Sequence, residues 1–205
     1  MVSRWQLLVT GIECEQSAPQ ETRRHMSDLP TPADIIAFWK DAGPKKWWSR
    51  DDALDAEIRE HFFDRLAHAA VVELDHWQDT PDRALALVLL LDQFSRNLFR
   101  DTAHGWAFDA KGLAIAKRAI ANGLDAEMDA ELRNFMYLPF MHSEELEDQR
   151  ACLRHMERTG KDDNIKAARE HLDIIERFGR FPHRNGRLAR ETTREEQTFL
   201  DGGGF

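Results

Sequence analysis

An uninterrupted run of eight apolar residues, ALALVLLL at positions 84–91, constrains the fold of this chain more than any other feature. Thr80 and Pro81 lie just before it. This pair favours the start of a helix, because Thr can cap the first turn and Pro loses no hydrogen bond there. The sequence shows no strand with which the run would pair. It therefore predicts a buried helix, and eight residues are too few to cross a membrane.

Amphipathic patterns predict about seven further helices. The first begins at Pro32 and ends at Gly43-Pro44, and the longest runs from about Asp51 to Trp77. Others cover 105–123, 126–138, 143–160 and 163–178, and a Thr193–Glu196 capping box opens a short terminal helix. No repeat of fixed length is visible. We therefore expect an all-α fold in which antiparallel helix hairpins form a bundle or a short solenoid.

The chain divides into two parts of different character. Residues 1–28 lack periodicity and predict a disordered N-terminal extension, within which Met26 is an alternative start. Residues 29–205 carry all the helical patterns and predict a single all-helical domain. The N-terminus is a poor signal peptide, and no segment is long and apolar enough to span a membrane.

Composition excludes several classes of protein. A formal charge of −9 argues against nucleic-acid binding, which needs a basic face. The chain has only two cysteines, Cys14 and Cys152, which exclude a disulfide framework and a CxxC zinc site. These features favour a soluble protein in a reducing compartment, the cytoplasm, with no membrane partner and no cofactor. A homo-oligomer is compatible with them.

The apolar run leads directly into a polar stretch, LLLDQFSRNLFR. Asp92 and Arg96 lie four residues apart on one helix face, as do Gln93 and Asn97. A charge in such surroundings must be paired. Two interpretations follow: an internal Asp92–Arg96 salt bridge that positions neighbouring helices, or one wall of a ligand pocket.

A second polar stretch, FMYLPFMHSEELEDQ, surrounds Pro139, which is expected to bend or end a helix. Tyr137 precedes this proline, and four polar residues follow: His142, Ser143, Glu144 and Asp148. Carboxylates near a helix N-terminus ordinarily stabilise its dipole. A metal site with His142 is the alternative, but the spacing matches no established ligand signature.

A third stretch, RFGRFPHRNGRLAR at 177–190, gathers five arginines and a histidine around a proline and two glycines. Arginine forks bind carboxylate or phosphate groups. Arg177 and Arg184 would therefore either bind an anionic ligand or form an ion-pair clasp with the acids at 144–148. His183 beside a carboxylate would also be a generic acid/base pair.

At these three stretches, and at IIAFW, the sequence resembles a bacterial family catalogued as domain of unknown function 924. The match runs from about Pro30 to Leu200. The resemblance implies an all-helical protein similar to tetratricopeptide-type repeats, and it implies no known activity. The signature positions it carries over are Asp92, Gln93, Arg96, Asn97, His142, Ser143, Glu144, Asp148, Gln149, Arg177, Gly179, Arg180, Pro182, His183, Arg184 and Asn185.

The sequence departs from the family pattern at five positions. The family expects Gly where Asp101 and Ala189 stand, Pro at Ser95 and Arg194, and Ser at Thr192. These differences affect turns and caps and leave the polar residues intact.

Two functions from different classes follow, together with a structural alternative. The first is a binding protein for a small anionic molecule or an acidic peptide end, in which Arg96, Arg180, Arg184 and His183 donate and Tyr137 or Trp39 forms a wall. The second is a hydrolase that uses His183 or His142 with Glu144 or Asp148. In the third interpretation the cluster, with Arg177 and Asn185, only joins helices.

Overall fold

The computed structural model describes residues 29–71 and 75–204. Within them lie eight helices and no strand, which confirms the all-α prediction. The helices are α1 (Pro32–Trp47), α2 (Asp52–Val71), α3 (Pro81–Leu98), α4 (Asp109–Ala121), α5 (Arg133–Met141), α6 (Leu146–Thr159), α7 (Asp162–Phe178) and α8 (Arg194–Asp201). Short 3-10 turns cover Asp75–Trp77, Ala103–Trp106, Leu124–Glu127 and Pro182–Arg184. The predicted N-terminal extension, 1–28, lies outside the described residues.

Helix α3 is the buried centre of the molecule. It is α-helical over Pro81–Val88, π-helical over Leu89–Phe94 and α-helical again over Ser95–Leu98. All residues from Ala84 to Ser95 are buried, as the apolar run predicted, and α1, α2, α4 and α5 pack around them. A π-helical turn contains an extra residue, and such turns are frequent at functional sites. Here the π-helical stretch contains Asp92.

The predicted break at Gly43-Pro44 is present, whereas two other helix ends differ from the prediction. Gly43 interrupts the helical path with φ of +74°, and a short helical segment follows this kink as far as Trp47. Helix α5 continues through Pro139 to Met141. The side chain of Gln149 donates to the carbonyls of Phe140 and Met141, which have no intrahelical partner at this C-terminal end. The described part of the long second helix runs to Val71, and a 3-10 turn covers Asp75–Trp77, where the helix was predicted to continue.

Other helix boundaries follow the predicted capping chemistry. Thr193 and Glu196 form the expected capping box at the start of α8. Gly160 and Gly179 follow α6 and α7 with left-handed backbone angles, which glycine adopts without strain. The arginine-rich stretch thus lies between two well-defined helix ends. In the described part of the chain, no helix is both long and apolar enough to cross a membrane.

Consecutive helices pack against each other in the second half of the chain, α5 with α6 and α6 with α7. A small second apolar cluster joins α7 to α8 and consists of Ile174, Ile175 and Phe181, with Leu146, Phe178 and Phe199 packed against it. The tetratricopeptide-like arrangement remains a prediction.

Candidate functional site

Asp92 lies at the centre of the polar residues and is completely buried. One carboxylate oxygen, Oδ1, lies 2.7 Å from Nδ1 of His142 and accepts from Arg96 at 3.0 Å. The other accepts from the side-chain amide of Gln93 at 2.6 Å. The predicted Asp92–Arg96 pair therefore forms within α3, and the contact with His142 connects α3 to the loop after α5.

Arg96 joins Asp92 to a second carboxylate. Its Nη2 donates to Oδ2 of Asp109, the first residue of α4, at 3.0 Å. The same oxygen lies 3.5 Å from Nη1 of Arg184, which belongs to the arginine-rich stretch. We call Asp92, Arg96, Asp109, His142 and Arg184 the central cluster. Four separate parts of the chain contribute to it.

The pKa values of the two carboxylates of the central cluster are shifted in opposite directions. Burial acts to raise the pKa of Asp92, but Arg96 and His142 outweigh it and lower the pKa to about 2. For Asp109 burial prevails and, with the charge of Asp92, raises the pKa to about 6 despite Arg96 and Arg184. Two carboxylates that share one arginine commonly separate in this way.

Arg184 is buried among aromatic rings. Its guanidinium carbon lies 4.6 Å from the ring centre of Phe181 and 5.3 Å from that of Trp106. Burial lowers the pKa of Arg184 to about 10, so the side chain is still charged at neutral pH. The stacking holds the arginine beside Asp109.

Both candidate histidines are neutral at pH 7. Burial and the charge of Arg96 lower the pKa of His142 to about 4, although Asp92 opposes this shift. Burial and the adjacent Arg184 lower the pKa of His183 to about 4. His183 packs beside Phe181 and Trp106, with ring centres 5.6 and 6.4 Å away.

An open cleft of about 200 Å3 lies against the central cluster. It is lined by Arg50, Arg96, Phe99, Arg100, Asp101, Thr102, Gly105 and Trp106, and we call it the arginine cleft. Arg96 belongs to both the cleft and the central cluster. Trp106 lines the cleft and is also in contact with the stacked Arg184.

The predicted clasp forms with other partners than those expected. Glu144 accepts from Arg190 at 2.9 Å and from the backbone of Phe181 at 2.9 Å. Asp148 accepts from Ser143 at 2.9 Å and pairs with Lys117 at 2.5 Å. Neither carboxylate pairs with Arg177 or Arg184 in the described contacts, because packing brings Arg190 to Glu144 and Lys117 to Asp148.

Glu196 connects the arginine-rich stretch to α8. Its carboxylate accepts from Nε of Arg180 at 2.6 Å and from the backbone of Thr193 at 2.7 Å. Nη2 of Arg180 donates at 2.9 Å, and Asn185, which is fully buried, adds a further bond at 3.3 Å. The bond from Arg180 is the main reason why the pKa of Glu196 falls to about 2. Arg177 pairs with Glu195 at the surface.

Several predicted site residues lie away from the central cluster. The hydroxyl of Tyr137 donates to Asp125 at 2.7 Å, and Trp39 packs in the core against Phe94 and Phe135. Asn97 donates to Asp55 at 2.7 Å. Neither aromatic residue therefore forms a wall of the arginine cleft. The described residues include no group of three His, Cys, Asp or Glu side chains that could hold a metal ion.

The sequence interpretation missed Asp109, Trp106, Arg50 and Arg100. The first two belong to GWAFDAK, a pattern that by itself predicts only the start of an amphipathic helix. The signal that could have indicated these residues is the Gly105-Trp106 pair, which lies shortly before Asp109 at the start of the helix. Cys152 is buried, and burial raises its pKa to about 12, so it is not a thiolate nucleophile.

Comparisons with known proteins place the chain in one family. A search of curated proteins found no match. The solved structure of the protein of unknown function ATU0120 from Agrobacterium tumefaciens is similar to this chain, with 47% sequence identity and a TM-score of 0.81. The similarity covers 83% of this chain and 97% of that one. Residues 35–204 match the model of a family described as bacterial protein of unknown function, DUF924. The chain therefore belongs to the DUF924 family of bacterial proteins, as its polar motifs predicted.

Proposed function

We propose that this protein binds a small anionic molecule, or the acidic end of a peptide, in the arginine cleft. The observation that carries the proposal is that three arginines line one small cleft, each paired with an aspartate, and that the pairs of Arg96 and Arg100 are partly buried and hold these two side chains in place. Arg100 is paired with Asp55, Arg50 with Asp52, and Arg96 with Asp92 and Asp109. An arginine that is already held in place loses little entropy when it binds a ligand.

The anchored arginines retain donors for a ligand. A guanidinium has five N–H groups in a planar fork. In the described contacts Arg100 engages Asp55 through Nε and Nη2, so that Nη1 is available to a ligand. Arg96 engages its aspartates through Nη1 and Nη2, and its Nε is not part of these bonds. These groups suit a carboxylate or a phosphate.

The size of the cleft sets the size of the ligand. Its volume of about 200 Å3 corresponds to roughly seven water molecules. This is below the usual range for drug-sized ligands. A small carboxylate, a phosphate or one terminal residue of a peptide would fill it.

A thermal-shift screen with inorganic phosphate, acetate, benzoate and an acidic peptide tests this proposal. At a hundredfold excess over its dissociation constant, a ligand stabilises the folded state by about 2.7 kcal/mol. For a chain of this length, that raises Tm by roughly 5–10 °C. Arg100→Gln should abolish the shift. The matched control Arg83→Gln breaks a surface pair with Asp79 and should leave the shift intact. If no anion raises the Tm of the wild-type protein, the proposal is wrong.

A hydrolase is the weaker candidate, and one observation supports it. The 2.7 Å contact between Asp92 and Nδ1 of His142 is the arrangement that orients a general base. A pKa of about 4, however, makes His142 a weak base at neutral pH. Hydrolysis of small esters that is lost in His142→Gln, with Tm unchanged, would favour this candidate over simple binding.

The tetratricopeptide-like arrangement and a cytoplasmic location form part of the same proposal. Helices α5, α6 and α7 pack consecutively, as in stacked hairpins. Cys152 is free, as is usual in a reducing compartment.

A further inference from the structure

We infer that the arginine cleft selects a monocarboxylate with a flat apolar body, a molecule of the benzoate class. This inference rests on the proposed function and specifies its ligand. Three features of the cleft carry it: the charge balance around it, the chemical nature of its walls and the rigidity of one aromatic wall.

The charges connected to the cleft are balanced. Its ion pairs involve five arginines (Arg50, Arg96, Arg100, Arg184 and Arg187) and five aspartates (Asp52, Asp55, Asp92, Asp101 and Asp109). Such surroundings offer directed hydrogen bonds without a large net positive charge. A second negative charge on a ligand would meet the nearby aspartates, so the balance favours a monoanion over a phosphate dianion.

The polar walls suit a planar acid group. Arg96 and Arg100 are four residues apart and both line the cleft. Nη1 of Arg100 and Nε of Arg96, which the aspartates leave available, can each donate a hydrogen bond to a carboxylate oxygen. Phosphate oxygens can accept the same bonds, so the acid group alone does not distinguish the two anions. The charge balance and the apolar walls make that distinction.

The remaining walls are apolar and aromatic. Phe99 and Trp106 both line the cleft, next to the arginines. Trp106 is held in place, because the guanidinium of Arg184 lies 5.3 Å from its ring centre. Gly105 keeps this part of the cleft compact, since a Cβ there would lie 3.3 Å from the carbonyl oxygen of Phe99. A flat ring can stack on such a wall, whereas acetate or phosphate cannot use it.

Isothermal titration of the wild-type protein at pH 7 with benzoate, cyclohexanecarboxylate, acetate and inorganic phosphate tests the inference. Benzoate should bind at least about tenfold more tightly than acetate and phosphate, and more tightly than the puckered cyclohexanecarboxylate. Trp106→Leu should remove this preference by weakening benzoate binding to the level of acetate binding in the same variant. The control Trp48→Leu changes a tryptophan that is 55% exposed and outside the cleft, and it should leave the preference unchanged.

Each other outcome overturns the inference in a recognisable way. If acetate or phosphate binds as tightly as benzoate, the benzoate class is wrong while anion binding stands. If no anion binds, both the class and the proposed function are wrong. Comparing benzoate with cyclohexanecarboxylate needs no variant, so the test remains decisive even if Trp106→Leu does not fold.

Discussion

Asp109→Asn should change how the stability of this protein depends on pH. The carboxylate has a pKa of about 6 in the folded protein against 3.8 for an unperturbed aspartate. Because the pKa of Asp109 is higher in the folded than in the unfolded protein, protonation of this carboxyl stabilises the folded state, and this stabilisation is complete below about pH 3.8. It is lost as the pH rises through about 6. At 1.36 kcal/mol per pH unit, the loss amounts to about 3 kcal/mol.

His142 works in the opposite direction over the same pH range. Its pKa of about 4 in the folded protein lies below the reference value of 6.5, so its contribution is complete above pH 6.5 and lost as the pH falls through 4. In the wild-type protein the two effects oppose each other between pH 4 and 6.5. In Asp109→Asn only the contribution of His142 to the pH dependence remains. The free energy of unfolding of the variant should therefore rise with pH, relative to wild type, by about 3 kcal/mol.

Urea denaturation at pH 4, 5, 6 and 7, followed by tryptophan fluorescence, measures this difference through linear extrapolation. The control is Asp129→Asn, which removes an exposed carboxylate whose hydrogen bond with Lys40 lowers its pKa. A lowered carboxylate pKa acts only below about pH 4, so this variant should run parallel to wild type between pH 5 and 7. A stability difference between Asp109→Asn and wild type that is the same at pH 4 and pH 7 would refute the reasoning about Asp109.

Three further substitutions test local features. Ala189 has φ of +52°, a strained angle for any residue with a Cβ. Ala189→Gly should therefore increase the free energy of unfolding by about 0.5–1 kcal/mol. The control Ala56→Gly, in the middle of a helix, should decrease it by about as much. Buried Gln149 donates to three carbonyls at the end of α5, and Gln149→Leu should cost about 2–3 kcal/mol in urea denaturation. A cost below about 0.5 kcal/mol would show that these bonds do not hold α5. Thr193→Ala removes the cap of α8 and should lower stability by about 1 kcal/mol, and an unchanged Tm would contradict this role.

Much of the helical framework and of the cluster could be predicted from the sequence. The Thr-Pro start and the apolar run placed α3 in the core, and the Asp92–Arg96 spacing predicted their pair. Asp101 and Ala189 stand where the family pattern has glycine, and both adopt positive φ, +62° and +52°. These features depend on residues a few positions apart, whose geometry the helical period sets.

The pairing of distant charges could not be predicted in the same way. The arginine-rich stretch and the acids at 144–148 were expected to pair through Arg177 and Arg184. Packing instead brings Arg190 to Glu144, and Arg184 to Asp109, 75 residues earlier in the chain. Any arginine can pair with any carboxylate, so the sequence contains no preference between these solutions.

By itself, then, the sequence determined where the helices lie, which helix is buried and which charged residues need partners. These properties follow from local periodicity, capping and the cost of burying an unpaired charge. Only the tertiary structure decided that α3 contains a π-helical turn at Asp92, and that Arg50, Arg96 and Arg100 line one cleft beside Trp106. Those outcomes depend on how α1, α2, α3 and α4 pack together, and side chains that are far apart in sequence become neighbours only through that packing.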